Sequence, residues 1–256
     1  MKLLTLNTHS LVDGRGEEQV SVLAEAIAAE GFDVVALQEV NQNIGDKESN
    51  FAAAVVSRLS ERGVRYDWRY LPVKIGYGRY DEGLAFLCRT PIKEVRSAYL
   101  TERRSYEDWK TRMALGVRCE GRDEWFFSIH TGWWKDPDEP FFDQWKRLSE
   151  LLPRRERIWL MGDFNQPAEV RGEGYDLVRD AGWYDAYDLA EHRIGEGTAR
   201  AGIDGWHGRA VTCDWLRIDQ IHSNRRVKIS SYRTLFDGVR YTAISDHFGV
   251  AVTVED

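Results

Sequence analysis

The sequence is poor in several things that would define a special class of protein. It has three cysteines in 256 residues, Cys88, Cys119 and Cys213, an odd number with no metal-ligand spacing. Neither a disulfide framework nor a zinc site is expected, and reduced thiols of a cytoplasmic protein are. No stretch approaches the ~20 apolar residues of a membrane span, so no membrane partner is expected. At the start, Met1-Lys2 runs directly into Leu3-Leu4-Thr5-Leu6, too short for the apolar core of a secretory signal. Basic charge is in deficit: 35 Lys+Arg against 42 Asp+Glu give −7. That argues against a large nucleic-acid footprint, which needs a basic face, although net charge says little about a local groove. Repeats, low-complexity tracts and Pro/Gly/Ser linkers are absent, so one domain over residues 1–256 is expected. No protein partner is implied.

What is present is globular: 43% hydrophobic and 30% charged residues, in a chain long enough to bury a large core without a crosslink. Strand and helix signals alternate throughout. Lys2 to Asn7 reads as a buried strand. Glu17 to Glu30 has helical apolar spacing and Gly31 as its stop. Asp33 to Val40 is a second strand, and Asn50 caps a helix carrying Phe51, Val55 and Leu59, closed by Gly63. In the centre, Leu84–Cys88, Val95–Leu100, Met113–Cys119 and Trp125–His130 read as an antiparallel meander. A helix over Pro140–Leu152, a strand over Arg157–Met161 and strands over Leu216–His222, Val227–Phe236 and Phe248–Val254 follow. The pattern fits an α/β protein of two stacked mixed sheets with outer helices, a four-layer α/β/β/α sandwich.

The unusual polar residues fall where strands end. Leu6 runs into Asn7-Thr8-His9, Leu37 into Gln38-Glu39, Ile129 into His130, and Met161 into Gly162-Asp163-Phe164-Asn165. Arg217-Ile218-Asp219 and Ser245-Asp246-His247 open later strands. Strand ends on a rigid sheet suit catalysis. Asn, Glu and Asp oxygens suit Mg²⁺, histidines stabilise charge or move protons, and an Asp can activate water. Glu39, which comes after an apolar run and before Val40, makes a poor solvent-face residue and a better metal ligand. Asp163 and Asn165, two apart, share a side in an extended segment. An Asx turn is the bland alternative. Arg112 carries a guanidinium fork that matches phosphate oxygens. Trp133 and Trp134 are adjacent in a loop, so at least one is expected to be part-exposed, where it stacks on a sugar or packs on the core. His9 lies near the expected metal cleft. His192, His207 and His222 carry no partner pattern and read as surface or structural histidines.

These six strand-end clusters, in this order, resemble the endonuclease/exonuclease/phosphatase superfamily with its DNase I-like fold. The resemblance implies Mg²⁺, with Mn²⁺ as a substitute, held by Glu39 with Asn7 and Asp246. It implies Asp163 as base, oriented by Asn165. His130 and His247 are then charge stabilisers, each paired with a carboxylate, Glu82 and Asp219 respectively. His130 stands where the apurinic-site nucleases of the superfamily carry Tyr. A closer resemblance is to the bacterial maltose 6'-phosphate phosphatase group. It is carried by Asn7-Thr8-His9-Ser10, Gln38-Glu39-Val40-Asn41-Gln42, Tyr80-Asp81-Glu82-Gly83, Asp108-Trp109-Lys110-Thr111-Arg112, Gly162 to Ala168, Glu173-Gly174-Tyr175 and Ile203-Asp204-Gly205-Trp206. It implies hydrolysis of a small phosphorylated sugar, with Arg112, Trp133 and Trp134 on the substrate. A metal-dependent nuclease or phosphodiesterase is the alternative enzyme. A dead binding module is disfavoured, because every expected ligand and base is present.

Overall fold

The structure is a computed structural model and describes residues 1–153, 155–200 and 214–255. Arg154, Ile203-Asp204-Gly205-Trp206, His207 and Cys213 lie outside the described residues. In chain order the elements are β1 (Lys2–Asn7), α1 (Gly16–Glu30), β2 (Val34–Asn43), α2 (Phe51–Glu61), β3 (Asp67–Gly76), β4 (Tyr80–Cys88), β5 (Ile92–Tyr99), β6 (Met113–Cys119), β7 (Trp125–His130), α3 (Phe141–Leu151) and β8 (Ile158–Asp163). Then come α4 (Gly174–Asp180), β9 (Tyr184–Asp185), α5 (Ala186–Leu189), β10 (Ala190–Ile194), β11 (Ala199–Arg200), β12 (Trp215–Leu216), β13 (Asp219–Ser223), β14 (Ile229–Leu235) and β15 (Gly249–Val254).

Two mixed sheets carry the fold, one ordered β10-β14-β15-β1-β2-β4-β3 and the other β5-β6-β7-β8-β13-β9. Alternation along each strand makes the layers. In β1 and β2, Leu3, Val34 and Ala36 face the second sheet, where they meet Phe126, Trp159 and Met161. Their neighbours Leu4, Leu6, Val35 and Leu37 face α1 and α2. On the far side Trp125, Phe127, Ile129 and Leu160 meet Phe141, Trp145 and Leu148 of α3. Strands buried on both faces read as continuous apolar runs, which is why β1, β7 and β8 stand out in the sequence. The expected four-layer sandwich is thus the observed one. No described helix is long and apolar enough to cross a membrane.

The helix ends follow the sequence signals. Gly31 closes α1 in the left-handed conformation at φ 67, and the Asn50 side chain accepts the N–H of Ala53 at the start of α2. The centre departs from expectation. β3 was not marked by the sequence pattern because Pro72 interrupts it, yet β3 forms at a sheet edge, where a missing N–H costs least. The expected strand Leu216–His222 is broken at Arg217-Ile218 into β12 and β13. There the Arg217 guanidinium turns inward to Asp185, at 2.6 Å.

Candidate active site

The register brings the chemistry to one end of both sheets. In the second sheet β7 and β8 run parallel with His130 beside Asp163, and β13 runs antiparallel to β8 with Asp219 beside Asp163. In the first sheet β1 ends at Asn7, beside Gln38 of β2. The pairing of β2 with β4 shifts between Leu37 and Val40. This bulge places Glu39 at φ 48 and re-aims it. Its backbone carbonyl is held there by Thr8 Oγ1 at 2.9 Å and Ser10 Oγ at 3.0 Å.

Asp163 Oδ2 is the hub. Asn7 Nδ2 donates to it at 3.2 Å and Asn165 Nδ2 at 3.3 Å. His130 Nε2 stands 3.5 Å away and His247 Nε2 3.9 Å away. The other oxygen, Oδ1, accepts the backbone N–H of Asn165 at 2.9 Å. Asn165 does orient Asp163, though through a tight turn at φ 50 rather than an extended segment. Asn7 Nδ2 also donates to Glu39 Oε1 at 2.9 Å, so one amide ties a carboxylate of each sheet together. Behind the cleft His247 Nδ1 lies 2.8 Å from Asp219 Oδ2, as expected of a carboxylate-oriented imidazole.

The electrostatics separate the two histidines. Burial, with Arg112 beside it, pushes the His130 pKa well below its ordinary value. Burial works in the same direction on His247, but the Asp219 carboxylate overrides it and holds the imidazole well above. Burial raises the Asp163 carboxyl to about 7. His9, expected near the cleft without a role, sits with Nδ1 3.2 Å from Glu39 Oε2 and 3.8 Å from Asp246 Oδ1. Burial lowers its pKa, yet the hydrogen bond and charge of Glu39, with Asp246, lift it to about 9. Two carboxylates thus converge on a point that holds positive charge. Their hard oxygens fit a divalent cation such as Mg²⁺. Asp163, Asp219 and His247 also lie within 4.8 Å of one another. One oxygen of Asp219 is already spent on the His247 ring, which suits a proton-handling unit better than a metal cage.

The cleft has a volume of roughly 340 Å³. Glu39, Glu82, Arg112, His130, Trp133, Asp163, Asn165, Asp246 and His247 line it, with His9, Lys74, Tyr77 and Trp109, while Asn7 and Asp219 are fully buried behind. Four of the six described non-glycine residues with positive φ line it too: His9, Glu39, Tyr77 and Asn165. Backbone strain of this kind concentrates at functional sites.

Two expectations need correction. Glu82 does not pair with His130: its carboxylate meets Lys74 Nζ at 3.1 Å, across the β3–β4 register. The missed strand β3 supplied the competitor. Trp134 is not on the cleft. Its ring packs against Phe141, centroids 6.4 Å apart, at the edge of the α3 core. The aromatic wall is instead Trp133 with Trp109, centroids 6.0 Å apart. Lys74 and Tyr77 escaped sequence reasoning as lining residues, whereas the loop-like setting of Trp109 already allowed it an aromatic face for a sugar ring. His222 is structural, buried and bonded to Gln220 at 2.9 Å, and His192 is exposed.

A model of the endonuclease/exonuclease/phosphatase family matches residues 4–247. Among solved structures, a family protein from Leptotrichia buccalis is 29% identical, with a TM-score of 0.89 and 100% of both chains covered. A mannosyl-6-phosphatase of Bacteroides thetaiotaomicron is 21% identical, TM-score 0.70, again with 100% of both chains covered. D. rerio TDP2 complexed with a single-strand DNA product is 17% identical, TM-score 0.66, covering 100% of this chain and 99% of that one. No curated protein matches. With its strand-end motifs assembled in one cleft and the family model spanning nearly its whole length, the chain belongs to the endonuclease/exonuclease/phosphatase family.

Proposed function

We propose that the protein is a Mg²⁺-dependent phosphoesterase that removes phosphate from a small phosphorylated sugar, of the maltose 6'-phosphate kind. The observation that carries this reading is the composition of one cleft. It joins the Glu39–Asp163–His130–His247 cluster, two cations (Lys74 and Arg112) and an aromatic wall of Trp109 and Trp133. At roughly 340 Å³ it lies at the small end of ligand pockets and suits a compact substrate. The mannosyl-6-phosphatase among the structural neighbours is in keeping with it.

Glu39 and Asp246, with Asn7 beside them, would hold Mg²⁺ or Mn²⁺, which supplies charge neutralisation at a phosphoryl oxygen. Asp163 is held by Asn7 and Asn165 and takes a proton from the attacking water. His130, and His247 fixed by Asp219, donate to the phosphoryl oxygens as charge develops. In phosphoryl transfer positioning and electrostatics supply most of the acceleration, and this chain offers mainly those. A cytoplasmic setting belongs to the same reading, supported by the free, buried thiols of Cys88 and Cys119.

The test is a phosphate-release screen with Mg²⁺ across sugar phosphates, nucleotides, bis-p-nitrophenyl phosphate and plasmid DNA. A disaccharide 6-phosphate is expected to exceed any nucleic acid in kcat/KM by at least ~100-fold, or ~2.7 kcal/mol. Salt-sensitive cleavage of plasmid DNA, with little phosphate from any sugar phosphate, would favour a nuclease instead.

A further inference from the structure

Beneath the aromatic wall lies a charge arrangement that the carboxylate–histidine cluster does not use. Lys74 of β3 and Arg112, just before β6, are only 7% and 8% exposed, and both face the cleft. Lys74 Nζ and Arg112 Nη1 donate to one oxygen, the backbone carbonyl of Trp109, at 2.9 and 3.0 Å. Their heads therefore sit side by side, and burial strengthens their repulsion. Among the described residues a single ion pair answers them, from Glu82 to Lys74. A Cβ at Gly76 would fall 2.5 Å from Glu82 Oε2, so glycine leaves the space this carboxylate occupies. Among the described residues Arg112 has no carboxylate within 4.0 Å, and its Nε is buried without a hydrogen-bond partner. A buried guanidinium so placed lacks an anionic oxygen, and leaving it unmatched is costly.

We propose that Lys74 and Arg112 form a cradle for the non-bridging oxygen that a phosphate monoester has and a diester lacks, with Glu82 as the positioning residue for Lys74. The inference rests on the phosphoesterase reading and deepens it. A monoester dianion offers three non-bridging oxygens and two charges; a diester offers two oxygens and one charge. Glu82 pairs with Lys74, so Arg112 is the cation of the two without an ion-pair partner among the described residues, and it is placed to meet the monoester's second negative charge. An alkylated oxygen in the cradle carries no charge for the cations to meet.

The test compares inorganic phosphate with dimethyl phosphate by calorimetry, on the wild type, Lys74→Met, Glu82→Gln and Lys74→Met/Glu82→Gln. Turnover of p-nitrophenyl phosphate and its bis ester is measured alongside. Phosphate is expected to bind the wild type at least ~10-fold tighter than dimethyl phosphate, and to lose ~10- to 100-fold in both Lys74 variants, the size of a charged hydrogen bond. Dimethyl phosphate affinity is expected to change little, and the monoester-to-diester ratio of kcat/KM to fall in parallel. Glu82→Gln should raise KM for the monoester more than it lowers kcat, with Glu82→Asp restoring part of the loss. The double variant removes the ion pair whole, so a folding defect of Lys74→Met alone decides nothing. Equal binding of the two phosphates by the wild type, or unchanged phosphate affinity in the folded double variant, would overturn the cradle. Lys74-dependent phosphate binding without release from any monoester would keep the cradle and sink the activity. Monoester turnover with an unaltered ratio would do the reverse.

Discussion

Thr198 Oγ1 receives the backbone N–H of Asp219 at 3.0 Å and that of Ile218 at 3.1 Å. Its own carbonyl accepts the N–H of Phe248 at 2.6 Å, and the next residue, Ala199, bridges His247. One buried threonine therefore fixes both members of the Asp219–His247 pair, Asp219 at the start of β13 and His247 just before β15. Thr198→Val keeps the shape and removes the acceptor. Activity is expected to fall ~10-fold with KM nearly constant, and the corresponding ~1.4 kcal/mol is in keeping with the loss of these two accepted hydrogen bonds. An imidazole proton signal for His247 that is unchanged by the substitution would assign Thr198 a merely local role.

The Asp219–His247 contact itself predicts strong coupling. Asp219→Asn and His247→Ala should each disable one unit, so the double variant is expected to be little worse than the weaker single one. A double variant showing the product of the two losses would mean that the residues act separately.

Glu39 is tied by Asn7 and His9 and should be separable from stability. Glu39→Gln is expected to retain its circular dichroism and to lose Mg²⁺ affinity and turnover by at least ~100-fold, since outer-shell partners alone cost ~10- to 100-fold. Near-normal turnover at saturating Mg²⁺ would remove Glu39 from the metal site.

For the cleft wall, Trp109→Ala and Trp133→Ala should reduce kcat/KM for a disaccharide phosphate ~2- to 10-fold more than for an aryl phosphate, the worth of one aromatic contact. Trp134→Ala should lower the melting temperature and leave the substrate ratio alone, because its ring packs toward Phe141.

Away from the cleft, the buried pair of Asp185 and Arg217 sets an acid limit. Burial alone would raise the Asp185 carboxyl, but the Arg217 charge outweighs it and holds it below the usual range. A depressed carboxylate stabilises the fold fully above its unfolded pKa of ~3.9, and that stability is lost as pH falls through the folded value. Asp185→Asn should cost ~3–5 kcal/mol near neutrality, leaving Arg217 unpaired, and the variant should lose less stability on acidification than the wild type. Urea midpoints at both pH values check this; an equal deficit throughout would show that Asp185 ionisation is not the cause.

Much of this could be read from the chain itself. β1, β7 and β8 are apolar runs ending in chemistry-bearing residues, and such ends announce themselves. The Asp219–His247 pair followed from motif order and was found at 2.8 Å. The Glu82 pairing misled because it depended on β3, whose alternation is interrupted by Pro72 and whose Lys74 competes for the carboxylate. Trp133 and Trp134 were inseparable by sequence. Only the position of α3 decides which ring finds a core to pack on. The Glu39 bulge was equally hidden, since it arises from a register shift against β4.

Asn7 and Glu39 belong to one sheet and Asp163 to the other, joined by a single amide. A slide of one sheet over the other by a single strand residue, about 3.3 Å, would break that junction while leaving every ladder within each sheet intact. Turnover is thus a ruler for the alignment of the two layers, far finer than any spectroscopic measure of strand content. Core substitutions at Phe86 or Met161, remote from substrate, should be felt first as lost catalysis and only later as lost structure.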